Sequence, residues 1–267
     1  MHAPPPAALA AELRARLEDN AVPGRAAGEK HYLRSDLHHI GVPLPAMRGV
    51  VRSFTRRSGQ GLGHAELVDL VTDLWAQPVH EHRSTALLLL DAYAPLLRPD
   101  DTALLEDLLR TCATWAHTDL LAPFAAGRLL LRHPRETTPA VLRWTADEAQ
   151  WVRRGGILCF LPALRGEDTF TRWFPVFTTA VDPLLDDDRF FVRKAIGWTL
   201  REGTKHHAAA VTGWLTPRLS RAASLTVREA LKRLPDDARA PLLAAHAAAR
   251  PRRGRRHAPT RRPEAPQ

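Results

Sequence analysis

The sequence predicts an all-α protein assembled as a solenoid of stacked helix pairs. Apolar residues recur at three-and-four spacing in run after run, with no alternating stretch long enough for a sheet. Prolines punctuate these runs, and a short Val-Arg motif returns at nearly constant spacing.

The helical runs appear in order along the chain. Ala7–Leu17 repeats leucine every four residues, at Leu9, Leu13 and Leu17. Met47–Phe54 follows Pro43, and Ala65–Trp75 ends before Pro78. Ser84–Leu97 ends before Pro99, and Leu104–Thr111 and Asp119–Leu131 precede Pro134. Val152–Leu164 and Phe170–Val181 come next, the latter closed by Pro183. Phe190–Leu200, Ala208–Leu219 (with Pro217 near its end) and Thr226–Leu234, stopped by Pro235, complete the series.

Within them, Val152-Arg153-Arg154 is echoed by Val192-Arg193-Lys194-Ala195 and by Val227-Arg228-Glu229-Ala230, at intervals of 40 and 35 residues. A period of about 40 residues with paired helices is HEAT-like, a repeat that stacks into a curved superhelix. The Val-Arg helices would line its inner side. Their N-termini and Arg153, Lys194, Arg193 and Arg228 would then form an anion-binding trough, or else bridge one repeat to the next.

Composition narrows the class. The 267 residues carry 45% hydrophobic and 25% charged residues, enough for one ample core. One domain is expected over residues 1–249. No apolar run approaches the roughly 20 residues of a membrane span, and no secretory signal opens the chain, so a cytoplasmic location is expected. Of the net +9, +6 lies in residues 250–267, a Pro- and Arg-rich tail expected to be disordered and suited to loose phosphate contact. Cys112 and Cys159 sit in apolar helical patterns and read as small buried hydrophobes.

The common enzymatic signatures are missing: no His-Glu-x-x-His, no Gly-x-Ser-x-Gly, no phosphate-binding Gly-x-x-x-x-Gly-Lys. The neighbouring histidines His38-His39, His80/His82 and His206-His207 point apart on a helix, so no metal is expected. The Arg56-to-Gly63 loop has no preceding strand and reads as a flexible connector with no nucleotide cofactor. Four residues stand out instead. Trp115 and Asp119 are four apart and share a helix face; Arg154 and Trp198 follow on later repeats, Trp198 four residues after Lys194. Trp151 reads as packing, and Trp75, Trp144, Trp173 and Trp214 as core or inter-helix residues.

At these residues the chain resembles the DNA alkylation repair glycosylases built from HEAT-like repeats. The resemblance spans roughly Tyr32 to Leu234. It is most specific in Phe190-Phe191-Val192-Arg193-Lys194-Ala195-Ile196-Gly197-Trp198 and in Trp151-Val152-Arg153-Arg154-Gly155-Gly156-Ile157. Ile40-Gly41-Val42-Pro43 through Arg48 matches the family's proline turn. The resemblance implies a cofactor-free, monofunctional glycosylase that excises N3- and N7-alkylated purines from duplex DNA without flipping the base, and a trough that embraces duplex DNA suggests a monomer. It implies a catalytic role for Asp119 beside Trp115 and Trp198, a phosphate contact for Arg154, and a backbone contact for Tyr32. Thr114 stands where members often carry a second aromatic, and Ala116 replaces a polar residue, which bears on substrate range. A non-catalytic binder of damaged DNA on the same scaffold, or a protein-interaction scaffold, are the competing expectations.

Overall fold

In the computed structural model, which describes residues 5–249, the chain is 77% helical with no strand among the described residues. The helices are α1 (Pro6–Glu18), α2 (Arg25–Leu33), α3 (Leu44–Arg56), α4 (His64–Ala76), α5 (His80–Ala92), α6 (Thr102–Arg110), α7 (Trp115–Leu121) and α8 (Gly127–Arg132). They continue as α9 (Pro134–Ala146), α10 (Gln150–Leu158), α11 (Leu161–Arg165), α12 (Glu167–Val181), α13 (Phe190–Leu215), α14 (Ser224–Ala230) and α15 (Asp236–Ala249). No helix is long and apolar enough to cross a membrane among the described residues. The basic tail lies outside them.

The helices stack in two rows. α3, α5, α7, α10, α13 and α14 touch in succession and form one row; α4, α6, α9 and α12 back it. Each pair (α4/α5, α6/α7, α9/α10, α12/α13) is one repeat. The buried apolar cluster runs without interruption from Leu9 to Leu234, as expected when each repeat buries its face only against its neighbours.

The period seen in the sequence returns as a ladder of polar contacts at an offset of 37 residues. His64 meets Asp101, Arg143 meets Glu106, Arg110 meets Asp147, and Arg165 meets Glu202. The valines of the repeated motif, Val152, Val192 and Val227, are fully buried at the repeat boundaries. Gly156 lets α10 lie directly on α9: a Cβ there would stand 2.5 Å from the Thr145 nitrogen and 2.8 Å from the Trp144 carbonyl carbon.

Three helices lie outside the predicted runs. α2 and α15 bury one residue each, Leu33 and His246, so neither shows an apolar stripe. α9 carries Pro139 and interrupts its apolar pattern with threonines. Conversely, Phe190–Leu200 and Ala208–Leu219 merge into α13, bent at His207 (φ −131°, ψ 45°), whose ring stacks on Phe170 at 3.9 Å. The 56–63 loop is an anchored turn: Tyr93 donates its hydroxyl to the Gly59 carbonyl at 2.8 Å. Cys112 and Cys159 are buried and unpaired, as the sequence predicts.

Candidate active site and nucleic-acid interface

α7 starts at Trp115, directly after Thr114 in extended backbone (φ −143°, ψ 159°). One turn later Asp119 emerges on the same face. Beyond Leu121 the helix widens into a π-helical segment, Ala122–Ala126, a distortion common at functional sites. The segment carries Phe124 into the wall of the adjoining cavity.

Arg154 reaches Asp119 from α10, one repeat on. Its Nε donates to Oδ1 and its Nη2 to Oδ2, both at 2.8 Å. Its Nη1 donates to the Phe191 carbonyl at 2.6 Å. The Arg154 side chain is 2% exposed and that of Asp119 17%. Against the phosphate contact expected of Arg154, the geometry makes Asp119 its partner. The guanidinium is turned inward, with an N–H of each nitrogen given to the Asp119 carboxylate or the Phe191 carbonyl, and so it holds Asp119 in place. Burial pushes the Asp119 carboxyl above its ordinary value, while Arg154 and then Lys194 pull it back.

The indoles and the phenol gather around this pair. Tyr32, 71% exposed, meets the Trp115 ring edge to face, with centroids 5.9 Å apart at 84°. Trp198 projects from α13, half-buried. Two cavities, of about 720 and 560 Å³, meet here, and Tyr32, Trp115, Asp119 and Trp198 line both. The second also admits Lys194, exposed, its Nζ 5.8 Å from the centre of the Phe190 ring. The four residues singled out from sequence thus converge. Ala116 lines the larger cavity, and Thr114 is buried and borders a neighbouring cavity with Tyr32, Trp115 and Phe190.

Arg153 and Arg193, expected in the trough, line neither cavity. Arg153 bonds the Asp187 carboxylate at 2.8 Å and the Asp147 carbonyl at 2.7 Å, and Arg193 donates to the Asp187 carbonyl. Both reach back to the loop that precedes their own helix, and Arg153 also bridges to the next repeat through Asp187. Trp151 packs on Phe191 at 5.0 Å, and Trp75, Trp144 and Trp173 are core residues.

Sequence reasoning missed two contributors. Phe190, 54% exposed, walls the smaller cavity; its exposure is invisible in a Phe-Phe pair that reads as core. Arg48, Arg52 and Arg56 lie four apart on α3, all exposed and without an ion pair among the described residues. Arg48 reaches the larger cavity, and Arg52 continues the line away from it. The spacing itself was the available signal.

Solved structures with this architecture include a protein titled a predicted DNA alkylation repair enzyme from Enterococcus faecalis. It matches with a TM-score of 0.68 at 19% identity, over 80% of this chain and 97% of that one. AlkD2 from Streptococcus mutans matches with a TM-score of 0.56 at 15% identity, over 72% and 90% of the two chains. The smu.31 protein of Streptococcus mutans UA159 matches with a TM-score of 0.56 at 16% identity, over 72% and 93%. At these identities the likeness is one of fold. No curated protein matches the chain. The family model for the DNA alkylation repair enzyme matches residues 13–234, and with the helical-repeat fold this makes the chain a member of the DNA alkylation repair family.

Proposed function

We propose that the protein is a monofunctional DNA glycosylase that hydrolyses the N-glycosidic bond of N3- and N7-alkylated purines in duplex DNA. The observation that carries this reading is a carboxylate held bidentately by a buried arginine at the junction of two cavities walled by Trp115, Trp198 and Tyr32.

Alkylation at N3 or N7 gives the purine a positive charge, so the base leaves with the electron pair of the C1′–N bond and no strong acid is needed. Positive charge then develops on the deoxyribose. A fixed carboxylate stabilises such an oxocarbenium-like state, and Arg154 supplies the fixing. Asp119 also orients the water that adds to C1′, the released proton passing to solvent. The indole faces of Trp115 and Trp198 favour the cationic sugar and pack against it, while Tyr32 braces Trp115. Lys194 and the Arg48–Arg52–Arg56 line supply phosphate contacts flanking the lesion. The damaged base stays in the duplex, approached from the sugar side, and the protein acts as a monomer without a cofactor.

The test is release of 7-methylguanine or 3-methyladenine from methylated duplex DNA by the wild type and by Asp119→Asn. Release by the wild type and loss on the order of 100-fold in the variant is the expected result. Binding of methylated DNA with no release by either protein would favour the non-catalytic binder.

A further inference from the structure

Behind the larger cavity, three chain segments bring together a second group of polar side chains that the glycosylase reading does not use. Glu29 comes from α2, His39 from the segment before the proline turn, and Glu81 from the first turn of α5. One potential ligand atom from each lies within 4.8 Å of the other two.

The valences here are incomplete. His39 is 5% exposed, yet neither ring nitrogen has a hydrogen-bond partner. Glu29 Oε2 is buried without a partner, and its other oxygen meets only the Arg25 guanidinium, at 3.3 Å. Glu81 is fully buried. Its Oε1 accepts the Gly41 and Val42 N–H groups at 2.6 and 3.2 Å, while Oε2 accepts only that of Ile40, at 3.0 Å, which leaves a lone pair. Buried polar atoms left this way cost free energy unless something fills the gap.

We propose that Glu29, His39 and Glu81 form a binding site for a divalent transition-metal ion of the zinc class, with water as the fourth ligand. One imidazole and two carboxylates are a borderline donor set that suits zinc better than calcium or magnesium. Tetrahedral bonds of about 2.0–2.2 Å would draw the donor atoms from within 4.8 Å to roughly 3.4 Å apart. Two carboxylates under cover, set against Arg25 beside Glu29 and Lys30 acting on His39, supply negative charge for a dication.

The site also answers a mechanical need. α2 buries only Leu33, yet carries Tyr32, which leans on Trp115. A bound ion would tie α2 to α5 and to the 39–42 segment, and so fix the position of Tyr32. His39 and Glu81 are 42 residues apart and Glu29 lies on a third element, so no sequence motif announces the site.

The experiment uses the full chain after chelation, without DNA, so its outcome is independent of the glycosylase reading. Co²⁺ titration should give visible d–d bands of a four-coordinate site saturating at one equivalent, displaced by Zn²⁺. Zn²⁺ should slow amide exchange in residues 25–33 by tenfold or more. His39→Ala and Glu29→Gln, checked for native circular dichroism, should each abolish both effects. Glu81→Gln is a poorer probe, since it also frees the 40–42 backbone. Absence of stoichiometric Co²⁺ binding by the wild type, or bands that persist unchanged in folded His39→Ala, overturns the proposal; the latter would place the ion on other histidines.

Discussion

Asp119 and Arg154 form a two-pronged ion pair, with both N–O distances at 2.8 Å, in which the cation is buried and the anion is the member that reaches the groove. The asymmetry decides what each substitution does. Asp119→Asn strands a buried guanidinium and is expected to cost about 3 kcal/mol of stability as well as excision. Adding Arg154→Met to it should restore stability but not activity, read by urea denaturation beside the excision assay. Arg154→Ala should lower excision while leaving the salt slope of binding to undamaged DNA unchanged; a reduced slope would return Arg154 to the phosphate role.

The cations divide into those that face the groove and those that hold the repeats. Lys194→Ala should weaken DNA binding and reduce the magnitude of the log K versus log salt slope by about one. Arg153→Ala should leave that slope alone and lower the melting temperature, because its partners are Asp187 and the Asp147 carbonyl. Fluorescence anisotropy at several salt concentrations with thermal melts separates the two classes.

Asp187 ties α13 to the preceding repeat. Burial opposes its ionisation, but hydrogen bonds from Arg189, its backbone N–H and Arg153 prevail and hold the carboxyl at about 2, against 3.8 ordinarily. A depressed acid stabilises the fold above its unfolded value and loses that contribution as pH falls. About 2 kcal/mol should therefore be present at pH 5 and disappear between roughly pH 4 and 2. Asp187→Asn should remove it, so that variant and wild type converge in stability toward pH 2; a constant gap across this window would sink the assignment.

Gly156→Ala tests the contact between α10 and α9. The new methyl meets backbone atoms of Trp144 and Thr145 below 3 Å, which a rotamer change cannot relieve. A loss of about 2–3 kcal/mol is expected by chemical denaturation. Excision should fall with it, because α10 also carries Arg154. A neutral result would mean that the two helices slide apart freely.

Much was legible in the chain. Apolar periodicity and the proline breaks gave most of the helices, because a repeat protein buries a stripe of each one against its neighbours. The near-40 spacing of the Val-Arg motif anticipated the 37-residue ladder. Trp115, Asp119 and Trp198 were found by helical spacing and resemblance, and they share two cavities. α2 escaped because a helix with one buried residue writes no apolar pattern, although it carries Tyr32.

Local order came from the sequence because helix formation and repeat length depend on residues within a turn or two of one another. Which basic side chain opens on the groove and which meets a carboxylate depended on side chains one repeat away. Arg153, Arg154 and Lys194 look alike along the chain, and only stacking gave the two arginines carboxylate partners and left the lysine in the groove, whereas Arg193 bonds a carbonyl six residues back. Tertiary packing made that choice for Arg153 and Arg154, because a charge is buried only where an opposite group waits for it, and Asp187 and Asp119 lie 34 and 35 residues away.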